Sequence, residues 1–174
     1  MFGIGAAESR YRIPDHRRAP ADELRLRAAA ASYRSAAGWP VRATADAVVI
    51  AMGTEVIGVA VPSPVGTELL ALLALRQYHG PAVRLPGRHP AKVLLVRPDA
   101  GVSWRLLPSA VSLIGRPAEL PLPPTVLADG PVEWAAPLGN GRGELFPAAV
   151  VHDALITLAL AGRPVPAPGR RHER

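Results

Sequence analysis

The stretch TEVIGVAVPSPVG (residues 54–66) decides how this chain folds. Its first half is rich in Val and Ile, which predicts a short buried strand. Ser63 suits the capping position of a helix and Pro64 suits its first turn, so the strand should turn directly into the leucine-rich run that follows. At the strand end, where many enzymes carry metal-binding carboxylates, this chain has Ala60 and Pro62. Two interpretations are therefore open: a functional site that has lost its carboxylates, or a strand and turn with no functional role.

Composition limits the class of protein. The 174 residues are 49% hydrophobic, which suffices for one domain with its own core. The chain has no Cys, which excludes disulfides and zinc–thiolate sites and fits a reducing cytoplasm. Residues 1–20 are too polar for a signal peptide, and the longest largely apolar run, residues 154–161, is too short to cross a bilayer. We therefore expect a cytoplasmic protein with no membrane partner.

The positive charge lies at the ends of the chain. Residues 1–42 carry eight Arg against four acids, and residues 163–174 carry four Arg against one Glu. Residues 43–162 carry eight basic and nine acidic groups, so the body is nearly neutral although the whole chain has a net charge of +6. Basic ends attract phosphate backbones without sequence specificity, but they also solubilise a chain, and both interpretations stay open.

Periodicity predicts the main elements. An Ala-rich helix begins at Ala21 and is stopped by Gly38, with Leu24, Ala28, Ala31 and Ser35 on one face. Residues 47–52 and 56–61 are predicted to form a hairpin through Gly53-Thr54-Glu55. Leucines dominate the next helix (residues 65–78), which should be well buried and end at His79-Gly80.

The second half reads less clearly. Residues 81–85 and 92–97 predict a hairpin, residues 111–114 and 132–135 predict strands, residues 120–124 should be extended, and residues 147–161 predict a closing helix. Residues 139–143 are glycine-rich and indicate a flexible surface loop. We therefore predict a single α+β domain over residues 21–162, with a mixed or antiparallel sheet and packed helices. Residues 1–20 and 163–174 are predicted to be a flexible basic segment and a disordered basic tail.

The second hairpin concentrates groups that can contact an anion. They are Arg84, Gly87, Arg88, His89, Lys92 and Arg97. Strand parity allows the side chains at 84, 88 and 92 to share a face, which favours a phosphate-binding surface. The alternative is an edge hairpin that its charges keep soluble.

Histidine chemistry has little support. No two of the five His residues stand at the spacing of metal ligands, so we expect no metal and no cofactor. A triad of Ser63, His89 and Asp153 lacks the strand–turn–helix motif that exposes a nucleophile. His89 or His152 could still act as a general base in an enzyme of another class, which is the weakest of our hypotheses.

Three segments, taken in order, resemble a known family. They are GWPV after the Ala-rich helix (residues 38–41), the strand and Pro/Gly turn of residues 54–66, and GPAVRLPGRHPAKVLLVRP (residues 80–98). This order is similar to that of the N-terminal bifunctional DNA primase/polymerase domain of the archaeo-eukaryotic primase superfamily. The similarity covers roughly residues 28–162 and is closest to the short, divergent actinobacterial members.

The resemblance implies a degenerate active site. Active relatives bind two divalent metals through an Asp-x-Asp on this strand, and those positions fall on Ala60 and Pro62 here. The family's Gly-rich turn and phosphate-contacting His fall near Gly87, Arg88 and His89. A third acid has no clear counterpart, with Glu133 and Asp129 as poor candidates, and Glu55 lies at the far end of the strand.

Two other hypotheses rank above an enzyme of another class. The first is a non-catalytic primase/polymerase-like domain that contacts DNA or nucleotide weakly and serves DNA metabolism. The second is a protein-interaction module without nucleic-acid binding, which the neutral body and the leucine-rich helix favour.

Overall fold

A computed structural model describes residues 20–107, 110–136 and 143–162. The predicted basic ends, apart from Pro20, and most of the predicted loop at residues 139–143 lie outside these residues. The helices are α1 (Pro20–Ala37), α2 (Ser63–Leu75) and α3 (Ala148–Ala161), with a 3-10 turn at Trp104–Leu106. The strands are β1 (Val41–Ala43), β2 (Val48–Ala51), β3 (Ile57–Pro62), β4 (Ala82–Leu85), β5 (Ala91–Arg97), β6 (Ser112–Ile114), β7 (Glu119–Leu122), β8 (Val126–Leu127), β9 (Gly130–Pro131), β10 (Glu133–Ala136) and β11 (Phe146–Pro147).

The strands form two main sheets and one small hairpin. Sheet A has the order β1-β2-β7 and is antiparallel. Sheet B has the order β10-β4-β5-β3-β6, also antiparallel, and β11 adds to β5 in parallel. Strands β8 and β9 pair with each other. Three helices with mixed and antiparallel sheets confirm the predicted α+β class.

Sheet B separates two apolar clusters. The sheet-side core joins sheet B to sheet A and to α1, with Val93 and Leu95 from β5 and Ile50 from β2. The helix-side core joins the other face of sheet B to α2 and α3, with Val59 and Val61 from β3. Because side chains alternate along a strand, Gly58 and Ala60 face the sheet-side core. This alternation fixes which face every residue of the candidate site occupies.

The predicted hairpin of residues 47–52 and 56–61 is wrong. β2 pairs with β1 and β7, whereas β3 lies in sheet B between β5 and β6. The Gly53 amide does donate to the Val56 carbonyl at 2.7 Å, but this turn carries the chain from one sheet to the other. Both strands are apolar on both faces, so the pattern alone could not choose their partners.

The second predicted hairpin is confirmed. β4 and β5 pair antiparallel around the turn at residues 86–90, and Arg84 stands directly opposite Lys92. Strands β6, β7 and β10 and helix α3 also form close to their predicted positions. Among the described residues, no helix is both long enough and apolar enough to span a membrane.

Helix α1 ends as predicted but presents a different face. Gly38 takes a φ of 67° and its amide donates to the Arg34 carbonyl, which stops the helix. The buried positions are Leu26 and Ala30 rather than the predicted stripe, and Leu24 is 66% exposed. Tyr33 lies on the same side of α1, four residues after Ala29 and seven after Leu26, and packs into an aromatic cluster. This packing explains why the helix buries that side rather than the predicted one.

This cluster joins Tyr33 to Trp39 and Trp134, with ring centroids 5.8–6.4 Å apart. The Tyr33 hydroxyl donates to the Pro123 carbonyl at 2.8 Å, and the Trp39 indole donates to the Gly143 carbonyl at 3.1 Å. Burial raises the pKa of Tyr33 above its ordinary value of 10.0. The cluster therefore anchors the end of α1 and the following Trp39 to Pro123, Trp134 and Gly143.

Helix α2 differs from its prediction at both ends. Pro62 is the residue that precedes it and no side chain caps it, so Ser63 is not the cap. The helix ends at Leu75 rather than near His79-Gly80, because Gln77 adopts a φ of 63°. Amides of Gln77 and Tyr78 then donate to the carbonyls of Ala74 and Leu73, which closes the helix. Only one side of α2 is buried, and Leu75 is 80% exposed.

Candidate functional site

The end of β3 carries no side chain that could bind a ligand. Ala60 lies between Val93 of β5 and Ser112 of β6, is half-buried, and packs against the sheet-side core. Pro62 pairs with Ala91 and is exposed. Within the described part of the chain, no three His, Asp or Glu side chains come together in a group that could hold a metal ion. The strand that the resemblance places at a metal centre therefore ends in apolar groups.

The start of α2 lies directly on the second hairpin. The Ser63 amide donates to the Pro90 carbonyl at 3.0 Å, which ties the helix to the turn between β4 and β5. A Cβ built on Gly66 would lie 2.7 Å from the Cβ of Lys92, so only Gly lets the helix approach this closely. The Lys92 ammonium donates to the Thr67 hydroxyl at 2.5 Å. Lys92 is thus held along the first turns of α2.

Arg84 lies on the same face of sheet B as Lys92, and its side chain is already paired with a carboxylate. It stands opposite Lys92 in the β4–β5 ladder and opposite Glu133 in the β10–β4 ladder. Its guanidinium forms an ion pair with the Glu133 carboxylate. The two side chains are 51% and 47% exposed, so water and salt screen this pair strongly.

The turn of the hairpin brings Gly87, Arg88 and His89 to the surface. Gly87 has a φ of 134°, a conformation that favours glycine, and a Cβ there would lie 3.4 Å from a carboxylate oxygen of Asp129. Arg88 and His89 are exposed, and neither forms a hydrogen bond or ion pair with another described residue. The structure therefore places all five predicted anion-binding residues along one hairpin beside the start of α2.

Arg97 does not belong to this group. It lies at the opposite end of β5 from the turn, at a groove of about 230 Å³ that Glu55 and Glu144 also line. Glu55 precedes β3 and is likewise remote from the strand end at Pro62. The sixth residue of the predicted cluster is thus separated from the others by the length of the strand.

The two acids beside the hairpin were not foreseen in this role. Glu133 contacts Arg84, and Asp129 approaches Gly87 from the turn between β8 and β9. Asp129 lies in a Pro-rich region for which no element was predicted, and Glu133 lies in a predicted strand whose partner the pattern did not define. A pairing of β10 with β4 was the missing signal, since it puts position 133 against position 84. The acids reduce the positive field of the hairpin.

Among the described residues, the proposed triad and general-base arrangements of His89 and His152 are not assembled. Asp153 accepts a hydrogen bond from Arg76 at 2.6 Å. The His152 ring packs edge-on against Trp104, with centroids 5.5 Å apart, and its Nε2 is buried without a hydrogen-bond partner among the described groups. No carboxylate of the described residues pairs with His152 or His89 to orient it as a general base.

Comparisons of this chain with protein-family models, with curated proteins and with solved structures find no match. The resemblance to the primase/polymerase domain accordingly rests on the order of its three sequence segments.

Proposed function

We propose that this chain is a non-catalytic primase/polymerase-like domain that contacts the phosphates of nucleic acid or nucleotide weakly through its β4–β5 hairpin. The observation that carries the proposal is the strand end itself. Ala60 and Pro62 occupy the two positions that the resemblance assigns to metal-binding carboxylates, and Ala60 packs into the core. Two metals cannot be held there by these side chains, so nucleotidyl transfer by the family's mechanism is not proposed.

The phosphate contact is supported by three cations along one hairpin. Arg84 and Lys92 are direct cross-strand neighbours, a separation of about 5 Å, and Arg88 projects from the adjoining turn. Arg84 and Lys92 extend from paired strands, so the backbone holds the attachment points of these two cations in fixed positions. Two acids lie beside them, which limits the expected affinity and makes it sensitive to salt.

The test is binding of a fluorescein-labelled oligothymidylate to the full chain between about 50 and 200 mM salt. Two or three phosphate contacts on a single strand give a slope of log affinity against log salt of about −1.4 to −2. Arg88→Ala with Lys92→Ala should weaken binding and flatten the slope by about 1.4. Arg25→Ala with Arg27→Ala removes the same charge from exposed sites on α1 and is the matched control.

Three outcomes separate the sources of binding. A loss in the hairpin variant alone supports the proposal. Equal losses in the hairpin and α1 variants assign binding to net charge. A loss confined to Arg170→Ala with Arg171→Ala assigns it to the basic C-terminal residues, and the hairpin proposal is then wrong.

A protein-interaction role is the second candidate. Leu75 at the end of α2 and Leu160 at the end of α3 are 80% and 60% exposed, and the Arg76–Asp153 contact joins their helices. Sedimentation of the full chain would detect self-association, which Leu75→Glu or Leu160→Glu should weaken. Leu24→Glu, at a 66% exposed site on α1, is the control. A monomer at all concentrations would remove self-association from consideration.

A further inference from the structure

The hairpin proposed to contact phosphate carries an ion pair between Arg84 and Glu133. Arg84 is the cation nearest to Lys92 along the sheet, yet its guanidinium is already occupied by a carboxylate of the same chain. A phosphate and a carboxylate can each accept two parallel hydrogen bonds from the planar guanidinium group of an arginine. They therefore compete for the same donors.

We infer that Glu133 is an internal competitor for phosphate at Arg84, so that ligand binding displaces Glu133 and the free chain is partly self-inhibited. The inference rests on the proposed function, because it concerns the same hairpin. Glu133 is set in place by the β10–β4 ladder, which fixes it directly opposite Arg84. Glu133 needs no conformational change to compete with phosphate, because the strand register already places its carboxylate at Arg84.

The exposure of the pair makes displacement feasible. Both side chains are about half exposed, so the carboxylate regains water when it leaves, and a screened pair of this kind contributes little to stability. Arg84 can then turn toward a phosphate that Lys92 also contacts from the next strand. Two cations on one phosphate would hold it more strongly than Lys92 alone.

The chain contains a matched control for this contact. Arg42 and Glu119 form a second ion pair, which spans the middle strand β2 from β1 to β7, with 2.9 and 2.7 Å hydrogen bonds, at 58% and 36% exposure. This pair lies on sheet A, whereas Arg84 and Lys92 lie on the helix-side face of sheet B. Glu119→Gln and Glu133→Gln each remove one negative charge from an Arg-paired carboxylate and keep the side-chain shape, so they change net charge equally but on different sheets.

The experiment measures oligothymidylate affinity for the full chain, for Glu133→Gln and for Glu119→Gln at one salt concentration. We expect Glu133→Gln to bind about two- to fivefold more tightly than Glu119→Gln. The gain should vanish when Arg84→Ala is added, because the competed donor is then gone. Thermal unfolding of each variant verifies that the fold is retained.

The failure of this inference differs from the failure of the proposed function. If Glu133→Gln binds no better than Glu119→Gln while Lys92→Ala still weakens binding, the hairpin binds phosphate but Glu133 does not compete. If Glu133→Gln weakens binding, Glu133 orients Arg84 and the inference is overturned. If none of these chains binds, the inference and the proposed function both fall.

Discussion

Thr125 is the buried polar residue through which sheet A can be tested most directly. Its side chain is completely inaccessible to solvent. Its hydroxyl accepts a hydrogen bond from the Val48 amide at 2.9 Å and donates to the Val48 carbonyl at 3.2 Å. Val48 is itself fully buried, so no water can replace these partners if the hydroxyl is removed.

Thr125→Val keeps the shape and removes both hydrogen bonds. A buried backbone group without a partner costs about 1–3 kcal/mol, so losing one amide partner and one carbonyl partner should cost about 2–6 kcal/mol. Thr125→Ser keeps the hydroxyl and loses one methyl group, for about 1 kcal/mol. The free energy of unfolding should therefore fall in the order wild type, Ser variant, Val variant.

Urea unfolding measures these differences, provided that the slope with denaturant stays constant across the variants. Thr54→Val, at an exposed turn position, is the control and should lie within about 0.5 kcal/mol of the wild type. A Thr125→Val variant as stable as this control would refute the argument that the hydroxyl satisfies Val48. Equal losses for Val and Ser would assign the effect to packing instead.

Three further predictions concern single positions. Gln77→Gly should raise the free energy of unfolding by about 0.5–1 kcal/mol in urea titrations, because Gln77 closes α2 at a φ of 63° where glycine is unstrained; a loss of stability would contradict this reasoning. Gly66→Ala should lower it by about 1–3 kcal/mol because the new methyl would meet Lys92, whereas Gly115→Ala, with no atom within 4 Å, should be neutral or slightly stabilising. Above pH 10 the unfolded chain ionises Tyr33 more readily than the folded chain does, so stability should fall with rising pH more steeply in the wild type than in Tyr33→Phe; parallel pH profiles would show that Tyr33 titrates alike in both states.

Local signals were sufficient for the three helices and for one hairpin. Gly38 stopped α1 where expected, Pro64 and the leucine run predicted α2, and the spacing around residues 86–90 predicted the pairing of β4 with β5. Each of these depends on residues that are close along the chain. The same holds for the basic hairpin residues, whose common location followed from the turn.

Pairing between distant segments could not be predicted in this way. β2 is apolar on both faces, so its pattern gave no reason to prefer β7, about 70 residues away, over the adjacent β3. The two acids beside the hairpin were missed for the same reason, because only the β10–β4 ladder places Glu133 at Arg84. The absence of carboxylates from the end of β3 was visible in the sequence, since it depends on residue identity alone.

The division of strands between the sheets also affects how the chain is made. Sheet A draws β1 and β2 from residues 41–51 but its third strand, β7, from residues 119–122. On the ribosome, β2 emerges well before the strand that covers its second edge, and in the meantime α2 and four of the six strands of sheet B are synthesised. An apolar strand with an unpaired edge is a template for association with other chains. We therefore expect the second edge of β2 to stay unpaired in the nascent chain until residues 119–122 have been synthesised.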